Sequence, residues 1–297
     1  MSHDHNHNHH THSVVKNIRW AFILNLGFSV IEIVGGLLTN SVAILSDAVH
    51  DIGDSITLGS SWCLEKLSAR VGTKRQTYGY KRYSLLSALI NAAVLITGSV
   101  FILSEAVPRL IEPEHTHPEG MLPLAIVGIV INLLAVLRLR GGKKMNERVV
   151  FLHLMEDILG WLGVFIVSIV LLIRDIPILD PLLSIGITLF VLSRIIPNLW
   201  ASIKIFLQYA PSDIEMDLLR KNIAETDRVL GLHDVHLWSL DGSYHIFTAH
   251  IVVPNASSID DLEAIKLSVQ EKLKNHGINH STLEFEKEDT YCENCEM

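Results

Sequence analysis

The 297-residue sequence is poor in cysteine, with only Cys63, Cys292 and Cys295, too few for a disulfide framework. It also lacks a basic face. Residues 211–297 hold 17 Asp and Glu against 7 Lys and Arg, a net charge of −10; the whole chain is −8, which leaves about +2 for the remainder. An acidic C-terminal part argues against nucleic acid as a partner, because that partner wants a basic surface. No basic stretch precedes a short apolar one at the N-terminus, so no signal peptide is expected. The His-Glu-x-x-His pattern of zinc proteases is missing as well, and the chain is read as a non-enzyme.

Apolar residues are abundant instead, at 49% of the chain with a mean hydropathy of +0.34. They gather in six stretches, approximately 17–38, 41–65, 84–107, 121–139, 148–173 and 178–207. Each is long enough to cross a hydrocarbon core of ~30 Å as a helix of about 20 residues. Lys66, Arg70, Lys74, Arg75, Lys81 and Arg82 lie between the second and third stretches, and Arg138, Arg140, Lys143, Lys144 and Arg148 flank the next such connection. The alternate connections are poorer in Lys and Arg, so the positive-inside rule puts both termini in the cytoplasm. Residues 1–12 (MSHDHNHNHHTH) contain six histidines; such a head cannot bury a core, yet it can bind metal loosely.

The pattern changes at Pro211. Helical periodicity over 213–226 precedes strand-like runs at 232–240 and 244–253, then a helix near 258–275 and a strand at 281–287. Asp241-Gly242-Ser243 marks a hairpin. The order α-β-β-α-β predicts a small ferredoxin-like α+β domain. The expected organisation is a His-rich head (1–16), a six-helix transmembrane domain (17–208) and a cytoplasmic metal-binding domain with an acidic, Cys-containing tail (209–297).

Charges appear where lipid should be. The second stretch contains Asp47, His50, Asp51 and Asp54, and the fifth contains His153, Glu156 and Asp157. Each costs about 2.5–3.5 kcal/mol at mid-bilayer, which makes it a functional candidate by default. Residues four apart share a helix face, so His50 stacks over Asp54 and His153 over Asp157. If the two faces meet, they offer two imidazole nitrogens and two carboxylates, a set that tetrahedral Zn²⁺ accepts. All-oxygen ligands would suit Mg²⁺ or Ca²⁺ better, and thiolates Cu⁺. Asp47, Asp51 and Glu156 are not assigned as ligands. Asn25, Glu32, Asn91 and Asn132 read as polar contacts between helices.

The segments LLTNSVAILSDAVHDIGDS (37–55), YGYKRYSLLSALIN (78–91), HLMEDILGW (153–161) and GLHDVHLWSL (231–240) closely resemble the cation diffusion facilitator family, in its zinc-transporter branch. The resemblance covers nearly the whole chain. It implies a homodimer in a lipid bilayer that exports cytoplasmic Zn²⁺ in exchange for protons by alternating access, with no organic cofactor. By motif position it implies a transport site of His50, Asp54, His153 and Asp157. His rather than Asp at the first of these is the pattern tied to zinc selectivity over cadmium. In the C-terminal domain, His233 and His250 fall where relatives bind zinc. Glu263 and Glu284 stand where some relatives have histidine. Cys292-x-x-Cys295 resembles a terminal thiolate pair of some vesicular transporters. His236 and His245 read as strand residues.

Two departures limit the resemblance. The loop 66–82 has no histidine or acidic residue, so the additional metal site of some bacterial relatives is expected to be absent. Arg82 supplies the basic member of a dimer-locking pair, but Gln208 holds the acidic position and Ser84 replaces a usual Glu. Zinc needs neutral imidazoles and ionised carboxylates, so loading releases protons, and an ordinary imidazole titrates near about 6.5. An acidic C-terminal domain should repel its dimer mate until metal neutralises it, which makes it a zinc sensor. Two other readings stay open: transport of cobalt, iron or manganese, and a membrane zinc sensor that moves nothing. The cysteine content and missing leader lean toward a bacterial inner membrane.

Overall fold

The computed structural model describes residues 25–68, 70, 72–139 and 145–289. The His-rich head, Cys292 and Cys295 lie outside the described residues, as does the side chain of His153. Among the described residues six helices come first: the shorter α1 (Asn25–Thr39), then α2 (Val42–Ser68), α3 (Tyr83–Ile111), α4 (Pro118–Leu139), α5 (Met145–Ile173) and α6 (Leu179–Phe206). The order then runs α7 (Met216–Ala224), β1 (Gly231–Ser239), β2 (His245–Val253), α8 (Ile259–Asn275) and β3 (Ile278–Lys287). The chain divides into two compact units, 1–64 with 87–199 and 65–86 with 200–297. The segment between α2 and α3 thus belongs with the C-terminal domain.

Four helices, α3 to α6, include stretches long and apolar enough to cross a membrane. α2 spans 27 residues, but Asp47, Asp51 and Asp54 lower its hydropathy; α1 is apolar and described only from Asn25. Six spans are therefore the expectation and four are plain.

Polar contacts and small residues tie the helical unit together, as packing without a hydrophobic drive requires. Asn25 on α1 donates to the Asp51 carbonyl (3.0 Å) and Ser55 Oγ (3.1 Å) of α2. Ser46 and Thr188 hydroxyls bridge α2 and α6 at 2.9 Å. Asp180 closes the start of α2, accepting from Ser41 Oγ (2.5 Å) and the Val42 N–H (2.7 Å), one of the orphan donors of a helix N-terminus. Asn132, expected to join helices, donates instead to the Gly128 carbonyl of its own helix at 3.2 Å. Gly128 is there for space: a Cβ would lie 2.3 Å from the ring of Trp161, which is 1% exposed.

In the C-terminal domain three strands lie in the order β1-β2-β3, with β1 antiparallel and β3 parallel to β2. Strand periodicity of two sends Phe247, Ala249, Ile251 and Val253 into a core with Leu219 and Ile223 of α7 and Ile265, Val269 and Leu273 of α8. Thr248, His250 and Val252 take the other face. Asp241 makes the hairpin, its Oδ1 accepting from the N–H groups of Ser243 (2.9 Å) and Tyr244 (2.7 Å) while Gly242 adopts φ 92°. A capping box starts α8, where Ser258 and Asp261 each accept the other's N–H.

Candidate metal centres

His50 and Asp54 lie one turn apart on α2, with Nε2 and Oδ2 3.6 Å apart and the two side chains 19% and 20% exposed. Helical spacing alone brings them together, as expected for i,i+4 residues. Asp157 on α5 is buried. His153 precedes it by one turn of the same helix.

The α2 and α5 faces meet close to these residues. A Cβ on Gly160, three positions beyond Asp157, would lie 3.3 Å from Oδ1 of Asp47. The absence of a side chain there lets α5 approach the acidic face of α2. Asp47 and Asp51 are buried at 4% and 6% exposure, and so is Glu32 of α1 at 1%. Glu32 is within electrostatic reach of Asp51, Asp47 and Asp157. Four carboxyl groups from three helices therefore share one apolar interior, an arrangement that attracts a cation or protons in a low dielectric. The sequence reading of Glu32 as an interhelical polar contact agrees with its place beside Asp51 of α2 but does not include the rest of this acidic group. The available signal was its chemistry: an ionisable Glu in an apolar helix differs from Asn25 or Asn91. Glu156, by contrast, is ion-paired with Arg194 of α6.

A second cluster occupies the face of the sheet opposite α7 and α8. His233 and His250 are direct cross-strand partners, with ring centroids 5.2 Å apart. Glu286 joins them: Oε1 is 2.7 Å from His250 Nδ1 and Oε2 is 3.1 Å from His233 Nε2. Ligand atoms of the three residues lie within 4.8 Å of one another. Two imidazoles and a carboxylate are a donor set that suits Zn²⁺, and among the described residues this is the one such group of three.

Glu284 is the register partner of His250, yet its side chain is 67% exposed and its Oε2 is 3.5 Å from His250 Nε2. Glu263 is exposed on α8 and stands outside the group. A β-bulge between His233 and His236 places Asp234 at φ 48°. Its carboxylate reaches His236 Nε2 at 2.9 Å and His250 Nε2 at 3.4 Å. Bulges re-aim side chains beside functional sites, and Asp tolerates the left-handed region better than most residues. His245 is buried in the strand, its N–H donating to Asn279 Oδ1 at 2.8 Å. Gln208, at the end of α6, adopts φ 62°.

Apolar helices with a half-buried His50/Asp54 pair and buried carboxyl groups, followed by an α+β domain with a His/Glu cluster, define a membrane protein built to handle metal cations. Residues 18–207 match the cation efflux transmembrane domain and residues 211–288 the cytoplasmic domain of cation efflux proteins. The chain belongs to the cation efflux family. It is 34% identical over 277 residues to the cadmium, cobalt and zinc/H(+)-K(+) antiporter of Bacillus subtilis (strain 168), covering 92% of this chain and 89% of the relative. It is 30% identical over 288 residues to the zinc transporter ZitB of Escherichia coli (strain K12), covering 95% and 90%. The metal cation efflux system protein CzcD of Cupriavidus metallidurans is 30% identical over 273 residues, covering 91% and 86%.

Proposed function

We propose that this protein exports cytoplasmic Zn²⁺, or a closely similar divalent cation, in exchange for protons. The observation that carries this reading is ionisable side chains inside an apolar helical unit: the His50/Asp54 pair on α2, buried Asp157 on α5, and the approach of α5 to α2 where Gly160 lies beside Asp47. With His153, the His50/Asp54 pair and Asp157 supply two nitrogens and two carboxylates to the cargo. The relatives support it, since those named above carry zinc, cadmium and cobalt, or metal cations generally, in their names.

Charge balance follows from the ligands. Asp54 and Asp157 together offset the two charges of Zn²⁺, which would otherwise face a large desolvation penalty. Glu32, Asp47 and Asp51 surround that position with further carboxyl groups. The imidazoles bind metal only when neutral, so protons and Zn²⁺ exclude each other at the same nitrogens. Six spans, cytoplasmic termini and a homodimer joined through the C-terminal domain complete the proposal. Zinc on His233, His250 and Glu286 neutralises part of an acidic domain and favours the closed dimer. The cobalt and cadmium in a relative's name favour a second reading in which selectivity extends beyond zinc. Competition among metals in a reconstituted flux assay separates the two: a zinc-selective carrier ignores a tenfold excess of Cd²⁺ or Co²⁺, and a broad one is inhibited.

A further inference from the structure

Within the second unit, the segment joining α2 to α3 and the C-terminal domain line an open cleft of about 440 Å³. Its chemistry is one-sided. Arg70 and Lys81 supply cations, His280 an imidazole, and Thr77, Tyr78 and Tyr244 hydroxyl groups, with no carboxylate on the wall among the described residues. This contrasts with the acidic balance of the surrounding domain. We infer that the cleft is a binding site for a phosphate-bearing anion, in which Arg70 and Lys81 hold the phosphate oxygens.

The turn that carries the wall and the Lys81 side chain are both held by specific contacts. A Cβ on Gly72 would meet the Thr77 carbonyl at 2.7 Å and the Gln76 carbonyl at 2.9 Å, so the segment folds back on itself only with glycine there. Thr73 and Gln76 exchange backbone hydrogen bonds of 3.0 and 3.2 Å, and Gly79 follows at φ 79°. Tyr78 stands edge-on to His280 with centroids 5.7 Å apart. Lys81 Nζ is held 4.5 Å above the Tyr244 ring, a contact that fixes an ammonium yet leaves its donors available. The guanidinium of Arg70 adds the fork that matches phosphate oxygens. Asp241, which feels the charge of Lys81, is engaged by Ser243 and Tyr244 and is not among the residues lining the space.

Basic residues between membrane helices also serve orientation, but that role asks only for charge. It is met by Lys74 and Arg75, which do not line the pocket. The volume suits a small polar body carrying a phosphate. The segment ends at Tyr83, where a candidate span begins, so either the phosphodiester of an anionic lipid or a soluble phosphate could reach the site.

The test uses the full-length, metal-free protein in neutral detergent at fixed ionic strength. It is titrated with inorganic pyrophosphate, dioctanoyl phosphatidylglycerol and, as a neutral control, dioctanoyl phosphatidylcholine. Saturable binding of phosphatidylglycerol alone assigns the site to a lipid headgroup; saturation by pyrophosphate assigns it to soluble phosphates. Arg70→Gln and Lys81→Gln should each weaken binding about tenfold, Lys81→Arg should retain it, and Gly72→Ala should weaken it with no change of charge. Lys74→Gln and Arg75→Gln should leave it unchanged. Zinc binding by each variant's C-terminal domain reports that the fold is intact. Failure of both anionic probes to saturate, or equal losses in the Lys74 and Arg75 variants, overturns the inference.

Discussion

His250 Nδ1 stands 2.7 Å from Glu286 Oε1, although the strand register sets His250 opposite Glu284. Diagonal neighbours on one sheet face remain within reach of long side chains, and here the diagonal wins because Glu286 also reaches His233 at 3.1 Å. Glu286→Gln should therefore weaken Zn²⁺ binding by the C-terminal domain about tenfold or more, roughly 1.4 kcal/mol. Glu284→Gln should cost much less. Competition with a chelating dye in the full-length protein measures both, and the reverse ranking would remove Glu286 from the site.

Glu32 is predicted to act on the cation without ligating it. Glu32→Gln keeps the side-chain shape and removes a group able to take up and release a proton beside Asp47, Asp51 and Asp157. The apparent Zn²⁺ affinity in a flux assay should fall about tenfold, near 1.4 kcal/mol, while maximal flux at saturating metal changes less. An unchanged affinity would return Glu32 to a packing role.

The membrane-metal character of the sequence is legible because charge in an apolar helix is rare and the His-x-x-x-Asp spacing needs no tertiary information. The hairpin at Asp241 and the helix starting at Ser258 are legible for the same reason: their signals are local. Glu286 is not, since its place depends on a diagonal contact between parallel strands brought together by α8. The turn of Asp234 toward His250 depends on a bulge, which leaves no mark in periodicity. That Glu32 shares its surroundings with Asp47, Asp51 and Asp157 as well as joining α1 to α2 depends on how the helices pack, although its ionisable side chain is a cue. The grouping of residues 65–86 with the C-terminal domain is set by tertiary contacts alone.

Glycine positions give a stability contrast. Gly128→Ala drives a methyl into the buried ring of Trp161 and should cost about 1–3 kcal/mol. Gly186→Ala meets no atom within 4 Å and should be neutral or slightly stabilising, as Ala is the better helix former. Thermal unfolding in detergent distinguishes them; equal midpoints would mean that α4 and α5 do not pack at Gly128 as described.

Asp241 gives a pH dependence. Burial pushes its carboxyl upward, but the N–H groups of Ser243 and Tyr244 and the Ser243 hydroxyl outweigh that and hold it below the ordinary carboxylate value. With an ordinary value near about 3.9, its support of the hairpin is complete above that pH and lost as pH falls through the lower folded value. Hydrogen exchange of the β1–β2 amides should show constant stability from about pH 7 to 5 as far as this group is concerned. Asp241→Ala should lower local stability there by about 1–2 kcal/mol; unchanged protection would refute the assignment.

The central claim is that His50, Asp54, His153 and Asp157 form the transport site, and proton-driven Zn²⁺ flux in proteoliposomes tests it most directly. An imposed pH gradient should drive Zn²⁺ movement by the unaltered protein. Asp157→Ala should abolish that movement while zinc binding by the C-terminal domain persists. Zn²⁺ flux that survives Asp157→Ala, with the same dependence on the pH gradient, would contradict the account.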